Sequence, residues 1–258
     1  MASHFGHPAH HYASIDTTML AAADLARQGC SEGTIVTADE QTAGRGRLGR
    51  NWVSRAGLGL YLSLVLRPLV RPYAAPVLTL VAGLAVKEAL EGLTGLRCDI
   101  RWPNDILVNE RKCCGILVEM EAERQQVDHV IVGIGINLNH AEFPPDLGDT
   151  ATSLLIETGK DWSREQVLDP VLRSLESLYD LYLDGGAAPV LEAFQAASSY
   201  ARGRRVVIEG VPEDCSVPVR GVTAGLNEQG LLMLEDAEGE VVPIVAGSVR
   251  PDTGTIEI

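Results

Sequence analysis

The stretch Gln41-Thr42-Ala43-Gly44-Arg45-Gly46-Arg47-Leu48-Gly49-Arg50 decides what kind of α/β chain this is. It follows a predicted strand over Thr34 to Ala38, where a Rossmann protein would place its glycine turn. The spacing is neither G-x-G-x-x-G nor G-x-x-x-x-G-K-[ST], there is no P-loop lysine, and the arginines are denser than a Rossmann turn needs, so a dinucleotide fold is disfavoured. The glycines permit close backbone approach, and Arg45, Arg47 and Arg50 keep their charge at any relevant pH. The string reads as a loop that closes over phosphate or carboxylate oxygens through guanidinium contacts. The alternative, an exposed Arg-Gly tail that binds RNA, suits a longer and terminal run; this one is short and lies between strands.

The surrounding charge supports a small anion. The 258 residues carry 21 basic and 35 acidic side chains, a formal net charge of −14. No Asp or Glu occurs from Gln41 to Lys87, while Arg45, Arg47, Arg50, Arg55, Arg67, Arg71 and Lys87 all fall there. A basic island in an acidic protein suits a small ligand; a nucleic acid would be repelled by the whole-molecule field. With 46% hydrophobic residues and a mean hydropathy of +0.08, the chain can bury a core. Its longest apolar stretch, Ala75 to Val86, falls short of the ~20 residues of a membrane span. No secretory leader is read, and no membrane partner. The 5 cysteines lack Cys-x-x-Cys spacing and suit reduced thiols in the cytoplasm.

Periodicity predicts a mixed α and β unit followed by an all-β one. Residues 1–12, which hold His4, His7, His10 and His11, show no period and are expected to be a mobile tail. A helix is predicted over Thr18 to Gln28, after the N-cap types Asp16 and Thr17. Strands are predicted at Thr34–Ala38, Leu60–Leu66, Cys98–Trp102, Cys114–Met120 and Val127–Asn137, and helices at Val81–Leu90 and Ser163–Leu183, the last started or kinked at Pro170. From Tyr200-Ala201 the pattern changes to short strands, Arg205–Ile208, Ser216–Val222, Gly230–Leu234 and Val241–Val245, that describe a small β-barrel. The division is thus 1–12, 13–200 and 201–258.

A second string, Arg101-Trp102-Pro103-Asn104-Asp105, is followed by Lys112 and by Gly115-Ile116-Leu117-Val118-Glu119. Pro103 belongs at a strand end, and Asn109-Glu110-Arg111 is a hairpin tip, so Lys112 begins the returning strand. Across that hairpin, facing the cleft with Asp105, it could neutralise charge on a transferring phosphate. It could equally be a solvated hairpin lysine.

Together these strings resemble biotin protein ligases. Ser14-Ile15-Asp16-Thr17-Thr18, Gln41 to Arg50, Arg101 to Asp105, Arg111-Lys112 with Gly115 to Glu119, Gly133-Ile134-Gly135-Ile136-Asn137-Leu138-Asn139, Ala151-Thr152-Ser153-Leu154 and Ala246-Gly247-Ser248 come in the family's order and spacing, over residues 13–250. Met19 departs from the family's usual Asn. The resemblance implies an α+β fold: a mixed sheet flanked by helices, like the catalytic domain of class II aminoacyl-tRNA synthetases, with a small C-terminal SH3-like β-barrel. It also implies a reaction, in which biotin and ATP with Mg²⁺ give biotinyl-5′-AMP and a lysine of a biotin carboxyl carrier domain, from acetyl-CoA carboxylase or a related carboxylase, receives the biotin.

Carried over residue by residue, the resemblance gives Lys112, Arg45 and Asp105 to catalysis. It gives Thr17, Thr18, Gln41, Gly44, Arg45, Gly46, Arg47, Lys112 and Gly115 to biotin, and Arg45, Arg47, Arg50, Asn104, Lys112 and Asn137 to the nucleotide. It leaves the metal's ligands undetermined, with Asp105 offered either for the metal or for the incoming amine, and leaves monomer or homodimer open. Three rival readings fit the sequence less well. A lipoate or octanoate ligase carries a different Arg-Gly-Gly signature. A ligase that is also a DNA-binding repressor needs a winged helix-turn-helix, for which the residues before Ile15 are too few. A catalytically dead biotin binder would be expected to lack Lys112 or the loop arginines. Cys113 and Cys114 are expected to be packing thiols.

Overall fold

The computed structural model describes residues 4–123, 125–210 and 220–252. A seven-stranded mixed sheet is built in the order β1-β2-β3-β7-β6-β5-β4. Its strands are β1 (Ala9–Ile15), β2 (Ile35–Gln41), β3 (Gly59–Leu66), β4 (Cys98–Arg101), β5 (Asp105–Val108), β6 (Arg111–Glu123) and β7 (Gln126–Asn137). Only β1 and β2 pair in parallel, and α1 (Thr18–Arg27) connects them.

The central strand β3 explains the layering. Its sequence, GLYLSLVL, is buried from end to end, as expected of a strand covered on both faces. Leu60, Leu62, Leu64 and Leu66 point into the main core beneath α2 (Val77–Thr94), α4 (Arg164–Gly185) and α5 (Ala187–Ala197). On the other face Val65 joins Val36, Ile131 and the α1 residues Met19, Ala22, Ala23 and Ala26 in a second, smaller cluster. The small residues of α1 let that helix lie close to the sheet. Because α1 covers only part of this face, the rest is left open, and the site forms there.

Residues within 202–210 and 220–251 form a second sheet, five-stranded and antiparallel, in the order β11-β10-β9-β8-β12. The strands are β8 (Arg202–Glu209), β9 (Arg220–Leu226), β10 (Leu232–Glu235), β11 (Val241–Ile244) and β12 (Ser248–Pro251). Val206, Ile208, Leu232, Leu234, Ile244 and Val249 of this sheet belong to the same apolar cluster as the main core. A buried hydrogen bond from Trp102 Nε1 to the Gly230 carbonyl (3.0 Å) links the two sheets.

Several sequence expectations need correction. The expected tail over residues 1–12 gives Ala9–Tyr12 to β1, and Phe5 is buried in the core; Met1, Ala2 and Ser3 lie outside the described residues. An edge strand with mostly exposed side chains has no apolar alternation to betray it. Of the start or kink expected at Pro170, the start is not found: Ser163 caps α4 in a capping box with Gln166, and the helix runs on through Pro170 to Gly185. Helix α2 is longer than the apolar run Val81–Leu90 suggested. The segment Pro72–Thr94 is long and apolar enough by composition to cross a membrane, but 67% of its most apolar window is buried within the fold. The short helix α3 (Leu154–Thr158), α5, β5 and β12 were not predicted as elements. Residues 216–219 of one expected strand, and Cys215, lie outside the described residues.

The link between the sheets gives a first prediction. Trp102→Phe keeps an aromatic ring but leaves the Gly230 carbonyl without its donor and part of the indole's space unfilled, which should lower stability by about 1–3 kcal/mol or more in urea unfolding. An unchanged unfolding midpoint would show that the bond carries no stability.

Candidate active site

The open part of the sheet face is floored by glycine. In the run Gly133-Ile134-Gly135-Ile136 of β7 the isoleucines enter the core, so by strand alternation the glycines face the site. Gly135 pairs with Gly115 of β6, and Gly133 with Leu117. The indole of Trp52 lies across this floor: a Cβ added to Gly135 would meet its ring at 2.5 Å, and one added to Gly115 at 3.0 Å. Gly133 is covered by the Met19 side chain. Glycine is required at these positions for close approach, not for an unusual φ.

One end of the floor is polar. Thr17 caps α1, its hydroxyl accepting from the Met19 backbone N–H (3.3 Å). The Gln41 side-chain oxygen accepts from the Thr18 backbone N–H (2.8 Å) and hydroxyl (3.1 Å). Ser63 Oγ donates to Thr18 Oγ1 (2.8 Å), and Gln41 Nε2 donates to Ser54 Oγ (2.8 Å). These groups form a fixed array of neutral donors and acceptors in a mostly buried setting.

The other end is charged. Asp105 is held between two cations, with Lys112 Nζ at 2.6 Å and Arg101 Nη2 at 2.8 Å. Burial alone would raise the Asp105 carboxyl, but Lys112 and Arg101 outweigh it and hold it below the usual carboxylate range. Lys112 also lies 5.3 Å from the centroid of the Trp52 ring, within cation–π reach. Its backbone is fixed on both sides, its N–H donating to Thr150 O (2.7 Å) and its carbonyl accepting from Thr152 N–H (2.9 Å).

The Arg-Gly loop closes over this end as a small hairpin. Trp52 N–H donates to Gly44 O (2.9 Å) and Gly46 N–H to Arg50 O (2.7 Å). Leu48 takes the left-handed conformation at φ 55°. Arg47 donates to Asn104 Oδ1 (2.9 Å) and to the Gly247 carbonyl (3.3 Å), which bridges the loop to the second sheet. Burial pulls the Arg47 pKa downward, Asp105 opposes it, and a guanidinium nevertheless stays charged. Asn104 is fixed in turn by a bond from its Nδ2 to Ile116 O (2.7 Å), and Asn137 Nδ2 donates to Thr152 O (3.0 Å).

Two cavities meet here. The first is lined by Thr17, Thr18, Gln41, Arg45 and Gly115 among others. The second, the larger, is lined by Arg50, Arg101, Asp105, Asn137, His140 and Arg250 among others. They share Gly46, Arg47, Trp52, Asn104 and Lys112. Every residue that the resemblance gives to catalysis, biotin or the nucleotide therefore lines one or both cavities, except Gly44, which is buried where an added Cβ would strike Trp52 O and Ser54 Oγ. Sequence reasoning missed Trp52, Ser54 and Ser63. Ser63 had a signal, the one serine within the otherwise leucine-rich strand Leu60 to Leu66. His140, stacked on Phe143 at 5.0 Å, also went unnoticed; burial and then Arg55 lower its pKa.

Known proteins match this arrangement. The profile of the Biotin/lipoate A/B protein ligase family matches residues 12–137. The Bifunctional ligase/repressor BirA of Bacillus subtilis is 40% identical over 232 residues, covering 87% of this chain and 68% of the relative. The Biotin--[acetyl-CoA-carboxylase] ligase of Paracoccus denitrificans is 36% identical, covering 90% of this chain and 96% of its own. Among solved structures, the biotin protein ligase from Aquifex aeolicus in complex with biotin and ATP superposes with a TM-score of 0.78 at 34% identity, over 94% of this chain and 97% of that one. The chain belongs to the biotin/lipoate protein ligase family, and its relatives there are biotin protein ligases.

The ion trio has a pH signature. A carboxyl depressed in the folded state gives stability that is present above its unfolded pKa and lost as pH falls through the folded one. Asp105→Asn should remove that loss, flattening the fall in stability between about pH 5 and about pH 2. It should also destabilise at neutral pH by about 3–5 kcal/mol, because Arg101 and Lys112 lose their counter-charge. Denaturant midpoints across that range check both; a variant as acid-sensitive as the wild type would rule out the coupling.

Proposed function

We propose that the chain activates biotin with ATP, forming biotinyl-5′-AMP and pyrophosphate, and then passes the biotinyl group to a lysine of a biotin carboxyl carrier domain of a carboxylase. The observation that carries this reading is the meeting of the two cavities at Lys112 and Arg47. In the first step a biotin carboxylate oxygen bonds to the α-phosphorus while the bond to the β-phosphate oxygen breaks. Both reactants are anions, so the boundary between their cavities must be positive, and it is.

On this reading Thr17, Thr18 and Gln41 hydrogen-bond the ureido ring, whose neutral donors and acceptors suit the polar end, and Gly115 gives it room, while Gly44 lets the loop pack against Trp52 and Ser54 beside it. Lys112, Arg45, Gly46 and Arg47 receive the carboxylate end. Arg47, Arg50, Asn104 and Asn137 serve the nucleotide. Lys112 neutralises charge on the α-phosphoryl oxygens as it builds. Asp105 aims Lys112; with its carboxyl held low it is a poor proton acceptor for the incoming amine. In the second step the carrier amine attacks the acyl carbon, the bond to the phosphate oxygen breaks, AMP leaves and the amine gives up a proton.

Mg²⁺ would arrive on the triphosphate oxygens. Among the described residues no three His, Cys, Asp or Glu side chains gather to hold a metal, and Asp105 is committed to two cations. We assign the chemistry to residues 13–200, with residues 201–258 closing the nucleotide side through Ser248 and Arg250. We place the reaction in the cytoplasm, which suits the free thiols of Cys30, Cys98, Cys113 and Cys114.

The direct test incubates the protein with biotin, MgATP and an apo carrier domain and weighs the carrier; no gain of one biotinyl mass would sink the proposal. The residue test is Lys112→Ala. A solvated lysine would leave adenylation alone, whereas deletion of a transition-state charge partner costs about 2–4 kcal/mol, or roughly 30- to 1,000-fold in rate. Lys112→Arg should not restore the full rate, since a planar fork cannot replace a compact charge between two ligands. With preformed biotinyl-AMP the Ala variant should show a smaller defect. Adenylation within about threefold of wild type would overturn the role of Lys112.

A further inference from the structure

The turn that carries Lys112 is pinned from two sides. Asn109 and Glu110 sit at its apex with φ of 50° and 64°, left-handed values unusual for residues other than glycine. Glu110 is held by Tyr200 OH and Arg204 Nη2, each 2.7 Å from its Oε2. Asn109 and Arg111, on either side of it, are both held by Glu157 of α3. Asn109 Nδ2 donates to Glu157 Oε2 (2.7 Å) and Arg111 Nη2 to Oε1 (2.6 Å). A third donor, Thr152 Oγ1, reaches Glu157 Oε1 at 2.6 Å. The Glu157 side chain is 5% exposed, so it has little water to fall back on.

These bonds converge on one neighbour. Thr152 N–H donates to the Lys112 carbonyl, and Arg111 precedes Lys112 in the chain. A single buried carboxylate thus fixes the residue before Lys112 and the residue paired across its backbone, without lining either cavity. Flexible four-carbon ammonium stems do not aim themselves. From this juxtaposition we infer that Glu157 is the positioning residue for Lys112 in the adenylation step, an inference that rests on the ligase reading above. Glu157 touches no substrate; it keeps the start of β6 in the register that puts the ammonium beside Asp105.

The test is a double-mutant cycle on the full chain. Wild type, Glu157→Gln, Thr152→Val, Lys112→Ala and Lys112→Ala/Glu157→Gln are assayed for biotinyl-AMP at saturating biotin and MgATP, long enough to resolve the slow variants. Thermal melting reports folding. Glu157→Gln should lower the saturating rate about tenfold, on the scale of a small misplacement of a catalytic group. Thr152→Val, which removes one donor and keeps the shape, should lower it about threefold and serves if Glu157→Gln does not fold. In the Lys112→Ala background, Glu157→Gln should cost less than about twofold, because the group it positions is gone. A general loosening of structure would instead cost the same factor in both backgrounds. That result, or no loss in either single variant, overturns the inference and leaves the ligase reading intact. Absence of biotinyl-AMP from the wild type would overturn both.

Discussion

The site depends on a carboxylate shared by two cations. Asp105 lies 2.6 Å from Lys112 and 2.8 Å from Arg101 on the short strand that ends the Arg101 to Asp105 string. Without it, two largely desolvated cations and nearby Arg47 would repel one another across a cleft meant for anions. With it, the local charge stays positive but tolerable, and Lys112 has a defined place to wait. The geometry follows from topology. Arg101 ends β4, Asp105 begins β5 opposite it, and Lys112 is the second residue of β6 across the next turn. Three successive antiparallel strands bring the trio together within one small patch.

The sheet answers a different requirement, that of holding a ring between a dry floor and polar walls. Alternation along β7 settles it, with isoleucine toward the core and glycine toward the site. The core face carries the stability, since it joins Leu60, Leu62, Leu64, Ile134 and Ile136 to α2, α4 and the second sheet. The glycine face forgoes apolar packing, and Trp52 and Met19 cover part of what is exposed. Burial of apolar surface is thereby concentrated on one side of the sheet, which leaves the other free to be shaped by the ligand.

Much of this was legible in the sequence, and the boundary of legibility is physical. β3 and β7 show as apolar runs because both are buried, and α1 and α4 show through caps and periodicity. The Arg-Gly loop and the Arg101 to Lys112 hairpin declare themselves because arginine, glycine, proline and asparagine punctuate strands in few other ways. β1 was invisible because an edge strand presents little apolar alternation, and what secures it is backbone pairing to β2. α3 is too short for a period to show. Trp52, Ser54 and Ser63 are ordinary residues whose importance arises only when strands distant in sequence bring them over the same glycines. Glu157 belongs to the same class, since nothing local marks a carboxylate that will be buried among three donors.

Arg47 and Lys112, the cations common to both cavities, are already engaged, and the strength of those engagements bears on how a triphosphate could enter. Arg47 is held by neutral acceptors, the Asn104 side chain and the Gly247 carbonyl. Exchanging these for phosphate oxygens turns bonds from a charged donor to neutral acceptors into bonds in which both partners are charged, with the chance of a bidentate fit. Lys112 leaves a carboxylate, a more costly separation, but Asp105 keeps Arg101 and so is never left unpaired. That second partner makes the lysine releasable: a buried pair of one lysine and one aspartate would be broken only at the cost of an uncompensated charge. The trio therefore both holds Lys112 in readiness and allows it to go.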